Sequence, residues 1–277
     1  MKTNLFVVGV AKGGTTFISE LCKYSKDICS PSLKEPHFFG GFFPFDAIEP
    51  HIKYVEEESA YEALYDFRGE KYRADYSTSY FFDKSACEEL FKYNSSSKII
   101  VCFREPISRA YSHYLNNFGE GVDSRSFFDA VSSEIKGEEG HFYLEYSKYS
   151  ESLSQYVETF GSENVLIINS EEMFSNGEAW VIAKLARFLS IEPWRSVERM
   201  NRNSARVAKN SMLRKLLGFS TLRSLVRRVF GVRLTSKIKG FLYRSDLTGI
   251  ELQDKKKGMR MLNEYFDEDQ KRLKDML

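Results

Sequence analysis

A lysine, two adjacent glycines and two threonines follow a short apolar run near the start of the chain. Lys12 precedes Gly13 and Gly14, and Thr15 and Thr16 come directly after them. Glycines let a backbone approach a ligand closely, and the N–H groups at the start of a helix attract an anion. The lysine adds a full positive charge. The spacing therefore predicts an anion-binding cradle, although the same glycines would also serve a plain strand-to-helix turn.

This cradle differs from the loop that binds nucleoside triphosphates, whose pattern is G-x-x-x-x-G-K-[ST]. Here Lys12 precedes the glycine pair, and Thr15 follows it. In the triphosphate loop the lysine contacts the β- and γ-phosphates and a hydroxyl holds Mg²⁺. A lysine that comes earlier, with no metal ligand beside it, favours an anion that is handled without Mg²⁺.

A second set of reactive side chains surrounds a proline. Lys34 and Glu35 precede Pro36, and His37 follows it. A proline disfavours a helical backbone at the residue before it, so we expect an extended chain here. Side chains two residues apart on an extended chain lie on the same face, which would bring Glu35 and His37 together. Either can act as a general base, whereas the structural alternative is a solvated Lys34–Glu35 pair.

An arginine and a serine form the third candidate set. Arg104 follows the apolar run Lys98–Phe103, and Ser112 comes eight residues later, beyond Pro106, which favours the start of a helix. Open α/β sheets bind ligands at the carboxyl ends of their strands, and a planar guanidinium suits a phosphate monoester. We therefore expect a ligand site at Arg104; the alternative is a surface arginine and a helical serine.

The segments that must position these residues alternate between strand and helix patterns. Apolar runs predict buried strands at 5–8, 98–103 and 165–168. Helical patterns are found at 15–22, 83–93, 127–135, 150–160, 180–189 and 259–277. In the second of these helices Leu90 and Phe91 are expected to face inward. The alternation predicts an α/β fold, with a P-loop-like central parallel sheet flanked by helices.

Taken in order, these motifs resemble those of the sulfotransferases that use 3′-phosphoadenosine 5′-phosphosulfate (PAPS). KGGTTFI after a strand is similar to the family's 5′-phosphosulfate loop, and R-x-P-x-x-R-x-x-S after a strand is similar to its 3′-phosphate site. KEPHFF resembles a segment of the carbohydrate and heparan-type members, whose glutamate deprotonates the acceptor. The resemblance extends over residues 4–195.

The resemblance implies transfer of a sulfuryl group from PAPS to a hydroxyl or amine, on a carbohydrate acceptor and without a metal. Lys12 would neutralise the leaving phosphate, and Glu35 would be the base, with His37 as the alternative base. The implied cofactor-binding residues are Lys12, Gly13, Gly14, Thr15, Thr16, Phe17, Arg104 and Ser112, joined by Arg206 and Lys209 from a late basic loop. The candidate substrate-binding residues are Lys34, His37, Tyr76 and Ser77; Tyr76 stands where glycan sulfotransferases often carry lysine.

Length and composition limit the remaining possibilities. The 277 residues suffice for one α/β domain, and we expect a single domain with a cofactor-binding core at 4–195 and a basic helical part at 200–277. No apolar run reaches the roughly eighteen residues that span a bilayer, and the first apolar run leads into the cradle, which favours a cytoplasmic protein. The four cysteines and four histidines match no metal-binding spacing, so reduced core thiols and no metal are expected.

Positive charge is concentrated late in the chain. Residues 201–245 hold twelve Lys and Arg and no Asp or Glu, whereas the net charge of the whole chain is +1. Leucines at helical spacing predict amphipathic helices with a basic face here. This face is either solvated or a contact surface for an anionic membrane or glycan, and no nucleic-acid partner is expected. The rival functions are a P-loop-type nucleotide kinase and a non-catalytic nucleotide- or glycan-binding module.

Overall fold

A computed structural model of the chain describes residues 1–41, 55–120, 122–138, 140–196, 207–208, 243–244 and 249–276. The backbone divides into two compact units. The first consists of Met1–Glu105, Tyr149–Asn201 and Arg272–Leu277, and the second of Pro106–Lys148 and Arg202–Lys271. The expected single domain over the whole chain stays a prediction.

A five-stranded parallel sheet forms the centre of the first unit. Its strands are β1 (Leu5–Gly9), β2 (Ile28–Cys29), β3 (Tyr72–Asp75), β4 (Lys98–Phe103) and β5 (Val165–Asn169). The strand order is β2-β3-β1-β4-β5, and every pairing is parallel. From β1 the chain first builds the β3 side of the sheet and then the β4 side, so the strand order reverses between β1 and β4. The predicted α/β fold and its three strands are confirmed; β1 and most of β4 are buried, whereas in the edge strand β5 only Val165 and Ile168 are.

Nine α-helices lie within the described residues. They are α1 (Thr15–Cys22), α2 (Glu58–Glu62), α3 (Lys84–Tyr93), α4 (Pro106–Glu120), α5 (Phe127–Ile135), α6 (Ser150–Phe160), α7 (Ser170–Asn176), α8 (Glu178–Leu189) and α9 (Gly249–Met276). Short 3-10 helices cover Glu145–Ser147 and Ser162–Asn164. The helices expected at 15–22, 83–93, 127–135, 150–160 and 180–189 are confirmed within two residues at each end, and α9 begins ten residues earlier than expected.

Alternation along β1 builds a core on both faces of the sheet. Phe6 and Val8 lie in one buried cluster and Leu5 and Val7 in the other, as the period of two in a strand requires. The four cysteines are buried, free thiols, and burial raises the pKa of Cys22 to about 12. The expectation of core cysteines is thus confirmed.

The expectation that Phe91 faces the core is wrong. Leu90 is fully buried on α3, but Phe91 is 39 % exposed. Neighbouring residues on a helix point in different directions, and the buried positions of α3 are Ala86, Cys87 and Leu90. Phe91 instead contacts the edge of Phe160, with 5.4 Å between the ring centroids.

The second unit contains α4, α5 and α9 through Lys271. Ile107, Tyr114, Phe127, Leu262 and Phe266 pack into its buried cluster. Most of the basic stretch 201–245 lies outside the described residues. At its two ends the expectation of helix is wrong, because β6 (Val207–Ala208) and β7 (Tyr243–Arg244) pair as antiparallel strands. Val and Tyr are residue types that favour strands. No helix in the described part of the chain has the length and apolar character needed to cross a membrane.

Candidate active site

The loop between β1 and α1 has the backbone of an anion cradle. Gly14 is the residue before α1 and has φ 101°, and Lys12 has φ 71° with an exposed side chain. The N–H of Gly13 donates to the carbonyl of Val10 at 2.9 Å, which closes the loop. The first N–H groups of a helix have no acceptor within the helix, so the start of α1 offers donors beside Lys12.

Gly13 lets this loop lie against the end of β4. A Cβ at this position would collide with the carbonyl oxygen of Cys102 and would lie 3.0 Å from the carbonyl oxygen of Val10. The N–H of Val10 donates to the same Cys102 oxygen at 2.6 Å. The cradle therefore sits where the strand order reverses, which is the usual ligand position in open α/β sheets.

Helix α7 forms another side of the cradle and also contacts Arg104. The ring centroids of Phe17 and Phe174 lie 5.6 Å apart, and Met173 occupies the space that a Cβ at Gly14 would need. The Nε of Arg104 lies 3.7 Å from Oε1 of Glu171. Arg104 comes two residues after Cys102, so the arginine and the cradle share the carboxyl edge of the sheet.

Glu35 is held between two basic side chains. It forms an ion pair with Lys34, and its Oε2 lies 3.6 Å from Nε2 of His37 and 3.5 Å from Oγ1 of Thr78. Burial raises the pKa of Glu35, but the hydrogen bond with His37 and the charge of Lys34 outweigh it and lower the pKa to about 2. Glu35 is therefore an ionised carboxylate at neutral pH.

His37 lies behind Glu35. The side chain of Glu35 is 30 % exposed and that of His37 only 2 %. The Nδ1 of His37 lies 2.5 Å from Oγ of Ser79, and its backbone N–H donates to Oγ of Ser77 at 3.1 Å. Of the two candidate bases, Glu35 is the one that solvent, and hence an acceptor, can reach.

The expected extended backbone at Glu35 is wrong. Glu35 has φ 59° and His37 has φ 49°, both in the left-handed region that few residues other than glycine adopt. The backbone N–H groups after Pro36 bond to hydroxyls some forty residues away in sequence, and these bonds hold the turns. The pairing of Glu35 with His37 therefore comes from a folded loop and not from an extended segment.

Tyr76 and Ser77 lie inside the first unit. Tyr76 is buried, and its hydroxyl lies 2.9 Å from Oγ of Ser30. Ser77 is fully buried and donates to Oδ1 of Asp75 at 2.7 Å. Both side chains thus bond within the protein.

Asp75, the last residue of β3, is a buried carboxylate beside the loop of Glu35 that the sequence reasoning did not name. It is fully buried, and burial raises its pKa against the opposing hydrogen bonds from Ser77, Tyr61 and Tyr80. The available signal was an acidic residue at the end of a short strand, followed by five consecutive residues with hydroxyl side chains at 76–80.

Three candidate residues remain. Ser112 is a half-buried residue of α4 in the second unit. Arg206 and Lys209 lie outside the described residues. Among the residues that the structure describes, no group of three or more His, Cys, Asp and Glu side chains could hold a metal ion.

Comparison with known proteins gives a consistent result. Residues 2–224 match the family described as Sulfotransferase domain. The chain is 24 % identical over 176 residues to mouse heparan sulfate glucosamine 3-O-sulfotransferase 5. The aligned residues cover 61 % of this chain and 48 % of that protein. It is 26 % identical over 111 residues to the membrane-associated sulfotransferase kil1 of Dictyostelium discoideum, covering 40 % of this chain and 22 % of that protein. This chain thus spans half or less of the length of these relatives.

The fold also has a counterpart among solved structures. The crystal structure of a sulfotransferase from Alicyclobacillus acidocaldarius superposes with a TM-score of 0.62 at 23 % identity. The match covers 89 % of this chain and 98 % of that one. At this level of identity the likeness concerns the fold.

Proposed function

Because this chain belongs to the sulfotransferase domain family, we propose that it transfers a sulfuryl group from PAPS to a hydroxyl or amine of a carbohydrate acceptor. The observation that carries the proposal is the partly exposed, ionised carboxylate of Glu35, held by Lys34 and His37. The anion cradle and Arg104 supply the second half of the site at the carboxyl ends of β1 and β4.

The cradle residues fit the 5′-phosphosulfate end of the donor. PAPS supplies an activated sulfuryl group whose leaving group is a phosphate. Lys12 and the N–H groups at the start of α1 would bind this anion and stabilise the charge that develops on the leaving oxygen. Thr15, Thr16 and Phe17 would complete the contact surface.

Arg104 would bind the 3′-phosphate through its planar guanidinium. Ser112, Arg206 and Lys209 stay predictions from the sequence for the same phosphate. A rival nucleotide kinase would need a metal-binding carboxylate at the end of the second core strand, where β4 is followed by Arg104.

Glu35 would accept the proton of the acceptor as the sulfuryl group is transferred. A carboxylate with a pKa of about 2 is a weak base, so its proton affinity must rise when the donor is bound. Lys34 provides the means: an ammonium group that moves from Glu35 to the sulfuryl oxygens would no longer lower the pKa of the carboxylate. His37 would keep Glu35 oriented.

The acceptor class rests on the KEPHFF segment and on the similarity to a heparan sulfate glucosamine 3-O-sulfotransferase. Because Tyr76 and Ser77 are buried and bonded within the protein, we propose that they support the site and do not contact the acceptor. A cytoplasmic location and a contact of residues 201–245 with an anionic surface stay predictions from the sequence.

The test is transfer of label from ³⁵S-PAPS to heparan-type oligosaccharides and to a panel of other hydroxyl and amine acceptors. We expect labelling by the native protein and a loss of turnover of about 10²-fold or more in Glu35→Gln, which keeps the shape and removes the basic oxygen. Binding of adenosine 3′,5′-bisphosphate should be almost unchanged.

The matched control is Glu88→Gln, which removes an exposed glutamate that pairs with Lys92 on α3. It should leave turnover as in the native protein. Label transfer to none of the acceptors, or a Glu35→Gln protein with native turnover, would refute the proposal. If His37→Ala abolished turnover instead, the roles of the two residues would be exchanged.

A further inference from the structure

Three hydroxyl groups converge on the buried carboxylate of Asp75. The hydroxyls of Tyr61 and Tyr80 donate to its Oδ2 at 2.9 and 3.0 Å, and Oγ of Ser77 donates to its Oδ1 at 2.7 Å. In all three hydrogen bonds the hydroxyl is the donor and an oxygen of Asp75 is the acceptor. Each of the three hydroxyls therefore points its proton at Asp75 and its lone pairs elsewhere.

Two of these hydroxyls use their lone pairs to bind the backbone beside Glu35. Oγ of Ser77 accepts from the N–H of His37 at 3.1 Å. The hydroxyl of Tyr80 accepts from the N–H groups of Phe38 at 2.9 Å and Phe39 at 3.3 Å. Three consecutive N–H groups of the loop thus obtain their acceptors from hydroxyls that Asp75 orients.

The loop needs such support because of its conformation. Glu35 and His37 both have a left-handed backbone, which costs free energy and persists only where the surroundings impose it. Burying a carboxylate is also unfavourable unless its partners compensate for the lost water. An apolar residue at the end of β3 could fill the same space, but only a hydrogen-bond acceptor there aligns all three hydroxyls.

We propose that Asp75 is a positioning residue for Glu35, acting through the hydroxyls of Ser77 and Tyr80 and the backbone of residues 37–39. The inference rests on the proposed function, since it takes Glu35 as the reacting base. Asp75 has no contact with Glu35 of its own in this proposal; it sets the direction in which the loop presents the carboxylate.

The two tyrosines provide a matched pair of variants. Both donate to the same oxygen of Asp75, but only Tyr80 also accepts from the loop. Each Tyr→Phe change removes one hydroxyl and keeps the ring, so the stacking of Tyr61 on Phe38, with centroids 4.4 Å apart, is retained. If Asp75 only stabilises the fold, the two Tyr→Phe variants should have similar effects on turnover. If Asp75 positions Glu35, the two effects should differ.

Turnover is measured for Tyr80→Phe, Tyr61→Phe and Asp75→Asn, each alone and combined with Glu35→Gln. We expect Tyr80→Phe and Asp75→Asn to lower turnover by about 10-fold or more, because small misplacements of a reacting group are costly. These losses should disappear in the Glu35→Gln background, since the misplaced group is already inactive. Tyr61→Phe should stay within about 2-fold of the native protein. Losses that multiply with Glu35→Gln, or equal losses in the two tyrosine variants, would overturn the proposal.

Amide hydrogen exchange of the peptide containing residues 37–39 gives a readout that needs no activity. Exchange should be faster in Tyr80→Phe than in Tyr61→Phe at matched global stability, and equal rates would overturn the proposal even if Asp75→Asn does not fold. If the native protein transfers no label, the proposed function fails while the exchange rates still decide whether the hydroxyls hold the loop. If label is transferred but the tyrosine variants behave alike, only the positioning role fails.

Discussion

Three residues chosen for their chemistry share an unusual backbone. Lys12, Glu35 and His37 have φ values of 71°, 59° and 49°. Such conformations in residues other than glycine concentrate at sites where the surrounding structure over-determines them. The residue types could be selected from the sequence because lysine, glutamate and histidine carry reactive groups. The backbone conformation of Glu35 and His37 could not, because it depends on acceptors such as Ser77 and Tyr80 that lie about forty residues away.

The ion pair at Glu35 predicts how the free energy of unfolding depends on pH. Its pKa is about 2 in the folded protein against an ordinary value of 4.5, so the unfolded chain binds the proton more tightly. The carboxylate therefore stabilises the fold fully above pH 4.5, and this contribution is lost as the pH falls towards 2. We expect Glu35→Gln to lower the free energy of unfolding at pH 7 and to lower it progressively less below pH 4.5 for as long as the protein stays folded. Urea unfolding at several pH values measures this.

Lys34→Met provides the control for this pH dependence. Without the ammonium group the pKa of Glu35 should rise, because the charge of Lys34 is one of its causes of lowering. Glu35→Gln should then cost less stability in the Lys34→Met background than in the native protein. A cost that is the same at pH 7 and pH 3 in the native background would show that Glu35 has no lowered pKa.

At the scale of the elements, local patterns predicted most of the fold. Strands β1, β4 and β5 and the helices beside them follow from apolar runs and periodicity, which are properties of neighbouring residues. The order of the strands is not local, since β3 pairs with β1 across the region that contains α1 and β2. The burial of Asp75 and the loop around Glu35 depend on that pairing. For this reason the sequence analysis named Glu35 and missed Asp75.

A substitution at Gly13 tests how closely the cradle must lie against β4. A methyl group there would collide with the carbonyl oxygen of Cys102, and a strand backbone in the centre of the sheet has little freedom to move. We expect Gly13→Ala to displace the cradle, to destabilise the fold by about 1–3 kcal/mol and to abolish binding of adenosine 3′,5′-bisphosphate. Unfolding by urea and calorimetric titration with the nucleotide measure the two effects.

The matched control is Gly41→Ala. A Cβ at Gly41 would lie 3.7 Å from Oγ of Ser85, an ordinary contact. This variant should bind the nucleotide as the native protein does. Native-like nucleotide binding by Gly13→Ala would mean that the loop of residues 10–14 is not the anion cradle.

At the scale of the whole molecule, the chain comprises two compact units, and the sequence-predicted site residues are distributed over both. The cradle, Glu35 and Arg104 belong to the first, whereas Ser112 belongs to the second. The prediction of a single domain rests on how much core a chain of this length can build, and it stays a prediction. The excess of basic residues at 201–245 was equally evident in the sequence, but the structure describes only residues 207–208 and 243–244 of this stretch.

Ligand-induced stabilisation of the intact protein tests the donor against the rival nucleotides. A ligand that binds only the folded state stabilises it by about 2.7 kcal/mol at a hundred times its Kd. We expect adenosine 3′,5′-bisphosphate to raise the Tm of the native protein with or without EDTA, and ATP–Mg²⁺ to leave it unchanged.

Arg104→Ala should lose most of the shift in Tm that adenosine 3′,5′-bisphosphate gives. It should keep the shift given by adenosine 5′-phosphosulfate, which has no 3′-phosphate, because a hydrogen bond to a charged group is worth about 1.5–3 kcal/mol. Arg68→Ala, which removes an exposed arginine paired with Asp66, is the control and should behave as the native protein. Equal losses for the two nucleotides in Arg104→Ala would show that Arg104 does not read the 3′-phosphate, and stabilisation by ATP that requires Mg²⁺ would favour a kinase.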